Sequence, residues 1–210
     1  MNSAAVTRFL AGLFLASWQT APPNSQPTQP LPPNAERIES GQQQSPSGDT
    51  IAYRIRLLPL SSFPGLPPLV AAELTRRLCM IPQSFEARQP ENVIHGAFHA
   101  PGSSDWAVLC STGGVTTLYV FFAGQFEAPI ALRSQPDSTW LGTEPGGAVF
   151  GSSWGIAVRS SAELRATPQL RHAATIDHDA IDDARLERSF VIRYYQAGKW
   201  LNLNRGDGSD

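Results

Sequence analysis

Apolar positions crowd most densely between Val93 and Phe122, in the run VIHGAFHAPGSSDWAVLCSTGGVTTLYVFF. That run reads as a core hairpin, with Trp106 to Cys110 as one of its strands. Upstream, Ile51, Tyr53, Ile55 and Leu57 alternate with Ala52, Arg54, Arg56 and Leu58, and this period of two predicts a half-buried strand. Four prolines then interrupt the chain. The last two, Pro67 and Pro68, suit the first turn of a helix, where their missing N–H groups would have had no partner. Val70, Ala71, Leu74 and Leu78 fall on one stripe of that helix, with Glu73 and Arg76 outside it. Cys79 lies at its end, and Pro82 forbids much continuation.

Beyond Phe122 the alternation weakens. Residues 128–133 and 153–159 are strand candidates, residues 142–151 read as a loop, and residues 162–165 are too short to assign. A clear signal returns at Phe190, Ile192 and Tyr194, which alternate with Val191, Arg193 and Tyr195. Gln196-Ala197-Gly198 supplies a turn and Lys199 to Leu203 comes back, making a final hairpin. No internal period indicates a solenoid or a propeller.

The amino terminus follows a different pattern. Arg8 precedes the apolar run Phe9 to Ala16, which is far short of the ~20 residues that span a bilayer and reads as the core of a secretion signal over residues 1–21. Residues 22–50 are rich in Pro, Gln, Ser and Asn, with only Leu31 and Ile38 as sizeable apolar residues. Such a stretch buries too little to offset its ordering entropy and reads as a linker. One domain is then expected over residues 51–204, with a polar tail at 205–210. Its fold class is α+β: β-rich, a mostly antiparallel sheet with one packed helix and a disulfide. Eighteen prolines, seventeen glycines and 16% charged residues agree with a turn-rich, β-leaning chain. A net charge of −2 predicts no electrostatic grip on nucleic acid or anionic lipid, and no integral span is expected once the signal is removed.

Export makes a structural disulfide the simplest use of the two cysteines, Cys79 and Cys110. It would close a loop of about 32 residues and contribute roughly 3 to 4 kcal/mol in the chain-entropy model. No Cys-x-x-Cys or activating base points to redox or nucleophilic chemistry instead.

The segment from Gly96 to Leu109, GAFHAPGSSDWAVL, resembles a degenerate FG-GAP/VCBS motif: a strand, a turn, and a second strand opening on Asp and an Ala-Val-Leu run. It is also similar to the central segment of bacterial exported proteins that end in an acidic turn and an aromatic hairpin. The resemblance implies a strand-turn-strand unit and, in many such motifs, a calcium ion held by turn oxygens. Here Ala97, His99 and Pro101 occupy the matching turn positions, which leaves Asp105 alone, so structure is implied and a cation is not.

Candidate chemistry is sparse. His95 and His99 are four apart, on one face if the strand stays regular, but two imidazoles do not make a metal site; hydrogen-bonded histidines are expected. Asp177, Asp179, Asp182 and Asp183 are candidate calcium ligands or, with His178, candidate acid–base groups. Their spacing misses the EF-hand loop, and a solvated turn is expected there, with one aspartate capping a short helix near Ala180. Gly151-Ser152-Ser153-Trp154-Gly155 is not read as a nucleophile elbow. Arg205-Gly206-Asp207 is read as a chance tripeptide in the tail. Among the clustered aromatics, Tyr195 and Trp200 are the candidates for a surface that binds glycan or peptide.

The expected function is a non-enzymatic binding module of the periplasm or cell exterior, taking a protein, peptide or glycan, with no catalytic residues and no cofactor assigned. The alternatives are a cell-envelope hydrolase using the Asp177 to Asp183 segment with His178, and a calcium-stabilised structural module. The purified exported chain should titrate two thiols only after reduction under denaturing conditions; equal titration without reductant would exclude the disulfide.

Overall fold

The computed structural model describes residues 35–44, 48–143, 149–167, 175–186 and 189–204. The expected signal segment, the part of the expected linker before residue 35 and the Arg205-Gly206-Asp207 tripeptide lie outside the described residues. Strands dominate what is described, in three sheets, with two helices.

The central sheet is an antiparallel meander of β4 (Val93–Gly96), β5 (Asp105–Thr112), β6 (Val115–Phe121) and β7 (Ile130–Pro136). It contains the dense apolar run, and its two middle strands are covered on both faces. Ala107, Leu109, Leu118 and Val120 point to one side, Val108, Cys110 and Phe121 to the other, as the period-two geometry of a strand requires. A third sheet packs on the first side. It is a second antiparallel meander, β10 (Trp154–Arg159), β11 (Ala180–Arg185), β12 (Ser189–Gln196) and β13 (Lys199–Asn204), and it contributes Trp154, Ile156 and Ile181 to the shared core. On the other side lies α1 (Pro68–Arg76), with Val70 and Leu74 fully buried against the hairpin. The short helix α2 (Ser161–Ala166) closes the outer face of the third sheet through Leu164, beside Ile192 and Tyr194. Its start is a capping box, in which Ser160 accepts the Glu163 N–H and Glu163 accepts the Ser160 N–H.

The remaining sheet is mixed. β1 (Arg37–Gln44), β2 (Thr50–Leu58), β9 (Phe150–Ser152) and β8 (Leu141–Thr143) run in that order, and β3 (Ile81–Gln83) adds to β2. β1 corrects the expectation of a linker through residue 50. Its own side chains advertise nothing, but all eight of its residues pair with β2, from Arg37 opposite Leu57 to Gln44 opposite Thr50. Gly41 is what lets it fit. The ring of its cross-strand partner Tyr53 lies where a β-carbon at 41 would sit, within 2.5 Å of the Tyr53 hydroxyl oxygen. The predicted α1 and the strands around residues 51–57, 106–110, 130, 154–159 and 190–203 are present. Residues 180–185, expected to begin a short helix after a solvated turn, instead form β11, because Ile181 alternates into the core and the strand is sandwiched between β10 and β12.

The Cys79–Cys110 disulfide joins the chain just after α1 to β5, with 5.3 Å between the two Cα atoms, inside the usual range. A second clasp holds the same helix. Glu73 was expected on the outer side of α1 but is buried, and it receives Arg76 Nη2 and Arg77 Nε at 2.7 Å each. Arg77 also donates from Nη1 to the Tyr119 hydroxyl at 3.1 Å and lies 4.7 Å from that ring's centroid, so the carboxylate indirectly anchors α1 to β6. No helix among the described residues is long and apolar enough to cross a membrane.

The hydrogen bond from Arg76, with the pair to Arg77, holds the Glu73 carboxyl down at about 2, against an ordinary 4.5. A depressed carboxyl stabilises the fold above its unfolded value, and that contribution disappears as pH falls through the folded one. Glu73→Gln should therefore lower Tm by roughly 3–6 °C at pH 7. Thermal melts should show this gap to wild type closing between pH 4.5 and pH 2.

Candidate functional site

Asp105 opens β5 and is fully buried, yet every oxygen of its carboxylate has a donor. Oδ2 accepts the Phe98 and His99 N–H groups at 2.8 and 3.0 Å and the Ser103 hydroxyl, while Oδ1 accepts the Ala123 N–H at 2.8 Å. The connection between β4 and β5 is thus wrapped around one side chain. Donors surround both oxygens, which is the chemistry of a carboxylate satisfied by protein. Burial alone would raise the Asp105 carboxyl, but the bonds from Ser103, Ala123 and His99 outweigh it and leave it below its ordinary value.

The same carboxylate lies 2.9 Å from Nδ1 of His99. Since an ionised carboxylate only accepts, Nδ1 carries the proton of that contact, and Nε2 is the ring nitrogen left to other partners. Phe122 supports the ring, with centroids 4.7 Å apart, and no described group hydrogen-bonds Nε2. His99 lines a cleft of about 320 Å³ between the β4–β5 loop, the segment ahead of β11, and the β12–β13 turn.

Asp179 fixes the two walls together. Its Oδ2 accepts the Ala97 N–H at 3.0 Å and its own N–H returns to the Ala97 carbonyl at 2.9 Å. Gly96 permits the approach, because a β-carbon there would stand 3.3 Å from Asp179 Oδ2 and 2.8 Å from the Phe98 ring. Across the cleft, His178 is buried and stacked on Tyr194 with centroids 4.4 Å apart. Its Nε2 lies 2.8 Å from the Tyr195 carbonyl and its Nδ1 lies 2.6 Å from Asp177 Oδ1. Each ring nitrogen of His178 thus faces an oxygen of the protein. The bond from His178 is the main cause that holds the Asp177 carboxyl below its ordinary value. Asp177 is half exposed, and its second oxygen is unengaged among the described residues.

The four aspartates therefore do not share a site. Asp177 lines the cleft and Asp179 braces it, whereas Asp182 and Asp183, being adjacent on β11, face opposite ways. Asp182 forms an ion pair with Arg159. Asp183 is buried between the two meanders, where it accepts Trp154 Nε1 and Arg193 Nε at 2.7 Å each and lies 3.6 Å from Arg133. Among the described residues no group of three or more His, Cys, Asp or Glu gathers as metal ligands do. His95 is separate from His99, bonded to Ser104 at 2.8 Å and packed on Trp106. Tyr195 lines the cleft; Trp200 does not, and it stacks on Phe122 behind it. Residues 151–155 do spell Gly-x-Ser-x-Gly with Ser153 in the nucleophile's place, so geometry decides against an elbow. Ser153 is buried between two strands and its hydroxyl donates to the Trp140 carbonyl at 2.9 Å.

One acidic pair escaped the sequence reading altogether. Glu39 of β1 hydrogen-bonds Asp137, which follows β7 and is buried with Thr116 Oγ1 at 2.6 Å and Ser111 Oγ as donors. Two carboxyls in contact need one proton between them. Neither residue stands in a recognisable pattern, and β1 had been counted as linker. No protein-family model, curated protein or solved structure matches the chain.

Burial first, and Asp137 second, raise the Glu39 carboxyl above its ordinary 4.5. Stability linked to its proton is complete below 4.5 and is lost as pH rises through the raised value. Glu39→Gln, which mimics the protonated form, should raise Tm at pH 7 and leave it unchanged at pH 4. An equal shift at both pH values would mean that the proton is not involved.

Proposed function

We propose that this chain is an exported, non-enzymatic binding module whose ligand site is the cleft beside His99, and that the ligand is a glycan. The observation that carries the reading is a cleft lined by His99, Asp177 and Tyr195, in which neither His99 Nε2 nor the second oxygen of Asp177 is hydrogen-bonded by a described group. Both groups are held from behind, His99 by Asp105 and Asp177 by His178, so little ordering remains to be done when a ligand arrives. Unengaged polar groups lining a cleft suit a ligand rich in hydroxyls, and an aromatic wall suits the apolar face of a sugar ring. The Cys79–Cys110 disulfide is compatible with an oxidising compartment.

A second reading rests on the buried carboxylate behind His99. An aspartate on Nδ1 and a free Nε2 in a cleft is the arrangement of a general base, which would take a proton from water in a hydrolytic reaction. The hydrolase built on His178 has less support, because both nitrogens of that ring already face acceptors. Calcium stabilisation draws no support from the aspartates, which are spread over separate protein partners.

Saturation-transfer NMR against a panel of neutral oligosaccharides distinguishes these readings. Binding should weaken about tenfold or more in His99→Ala and in Asp177→Asn; His99→Ala also takes a donor from buried Asp105 and should lower Tm by a few degrees, so binding is compared well below both melting temperatures. Absence of binding to any member would sink the glycan reading. Turnover of a bound sugar that disappears with His99 would favour hydrolysis instead.

A further inference from the structure

The end of α1 carries an unexpected residue. Cys79 N–H donates to the Leu74 carbonyl at 3.0 Å and Leu78 N–H to the Thr75 carbonyl at 2.9 Å, the paired bonds that close a helix through one left-handed residue. Leu78 occupies that left-handed position, with φ 56°, where glycine is usual because any β-carbon crowds the backbone. Its side chain is 78% exposed. A leucine here strains the fold and buries almost nothing, so folding gives no reason for it, and strained, exposed residues concentrate where proteins make contacts.

The surroundings extend the patch. Ile38 of β1 is 55% exposed. A cleft of about 290 Å³ opens beside Leu78 against Leu60 and Met80, and another of about 270 Å³ runs along its other side past Ile38 and Leu57. Arg37 lines both. Its cationic neighbours are matched, Arg56 by Glu36 and both Arg76 and Arg77 by Glu73, whereas the Arg37 guanidinium makes no hydrogen bond or ion pair among the described residues. Among the described residues Arg37 is also the only charged one lining the first cleft; in the second, Glu39 is engaged with Asp137.

We infer that this surface receives the C-terminal residue of a partner polypeptide. Its apolar side chain enters the cleft between Leu60, Leu78 and Met80, and its carboxylate pairs with Arg37. The cleft is at the small end for ligand sites, so it suits one residue and not a long segment. A terminal residue carries an apolar side chain and a carboxylate on the same carbon, and it needs a single guanidinium to neutralise it. This site is independent of the His99 cleft and stands whether or not that cleft binds a glycan.

Fluorescence anisotropy with the full chain and N-terminally labelled hexapeptides ending in Leu, Val or Phe tests the inference, each peptide being made with a free or an amidated C-terminus. The free acids should bind, and amidation, Arg37→Gln and Leu78→Gly should each weaken binding at least tenfold. Leu78→Gly should keep or raise Tm, since glycine relieves the left-handed strain, so its loss of binding would not reflect unfolding. No binding by the free acids, equal binding by the amides, or insensitivity to Leu78→Gly would overturn the proposal. So would a dimer in sedimentation velocity that Leu78→Gly abolishes, which would assign the face to a second copy.

Discussion

The β5–β6 hairpin has no solvent face, and the rest of the molecule is arranged to keep it so. A strand pair whose alternate residues are apolar on both sides must be covered twice. The third sheet covers the side of Ala107 and Leu118, and α1 covers the side of Val108 and Phe121. Those two layers arrive from opposite ends of the chain, which is why the helix needs fastening at both the Cys79–Cys110 bond and the Glu73–Arg77–Tyr119 chain. The disulfide constrains the unfolded chain. The carboxylate clasp acts in the folded state.

Covering the hairpin puts several carboxylates out of water, and the two most deeply buried, Asp183 and Asp105, are satisfied differently. Asp183, between the meanders, has Arg193 and Arg133 near it and the Trp154 indole N–H bonded to it, while Arg133 stacks 3.9 Å over Trp140. Removing one partner of so buried a group is far costlier than its net contribution to stability, so the cluster specifies how the two sheets face each other more than it strengthens them. Asp105 instead collects backbone and hydroxyl donors and shapes a loop. Because one of its donors is an imidazole, a group that is structural on the inside orients the ring proposed to meet a ligand on the outside.

That coupling is the basis for locating function in the His99 cleft. The imidazole is available because Asp105 holds only one of its nitrogens, whereas His178 is spent on Asp177 and the Tyr195 carbonyl. The Leu78 surface follows a different logic, in which a residue that the fold does not need is kept at a backbone position that disfavours it. One site is recognised by satisfied groups leaving a ring nitrogen unengaged, the other by strain without a folding benefit.

What could be read from the chain alone is what depends on neighbours in sequence. Period-two alternation placed the strands around Ile55, Val108 and Ile192, and prolines with a helical stripe placed α1. The presence of just two cysteines in the sequence paired Cys79 with Cys110. Tertiary structure alone decided what depends on distant partners. β1 is a strand only because β2 offers it a ladder, and Gly41 makes room for Tyr53. Asp177 to Asp183 looked like one acidic unit in sequence, but strand geometry turned Asp182 and Asp183 to opposite faces, and long-range donors gave the others separate roles. Glu39 and Asp137 meet across nearly a hundred residues, and no local pattern records such a meeting. Periodicity encodes which face a residue turns inward; it does not encode what waits there.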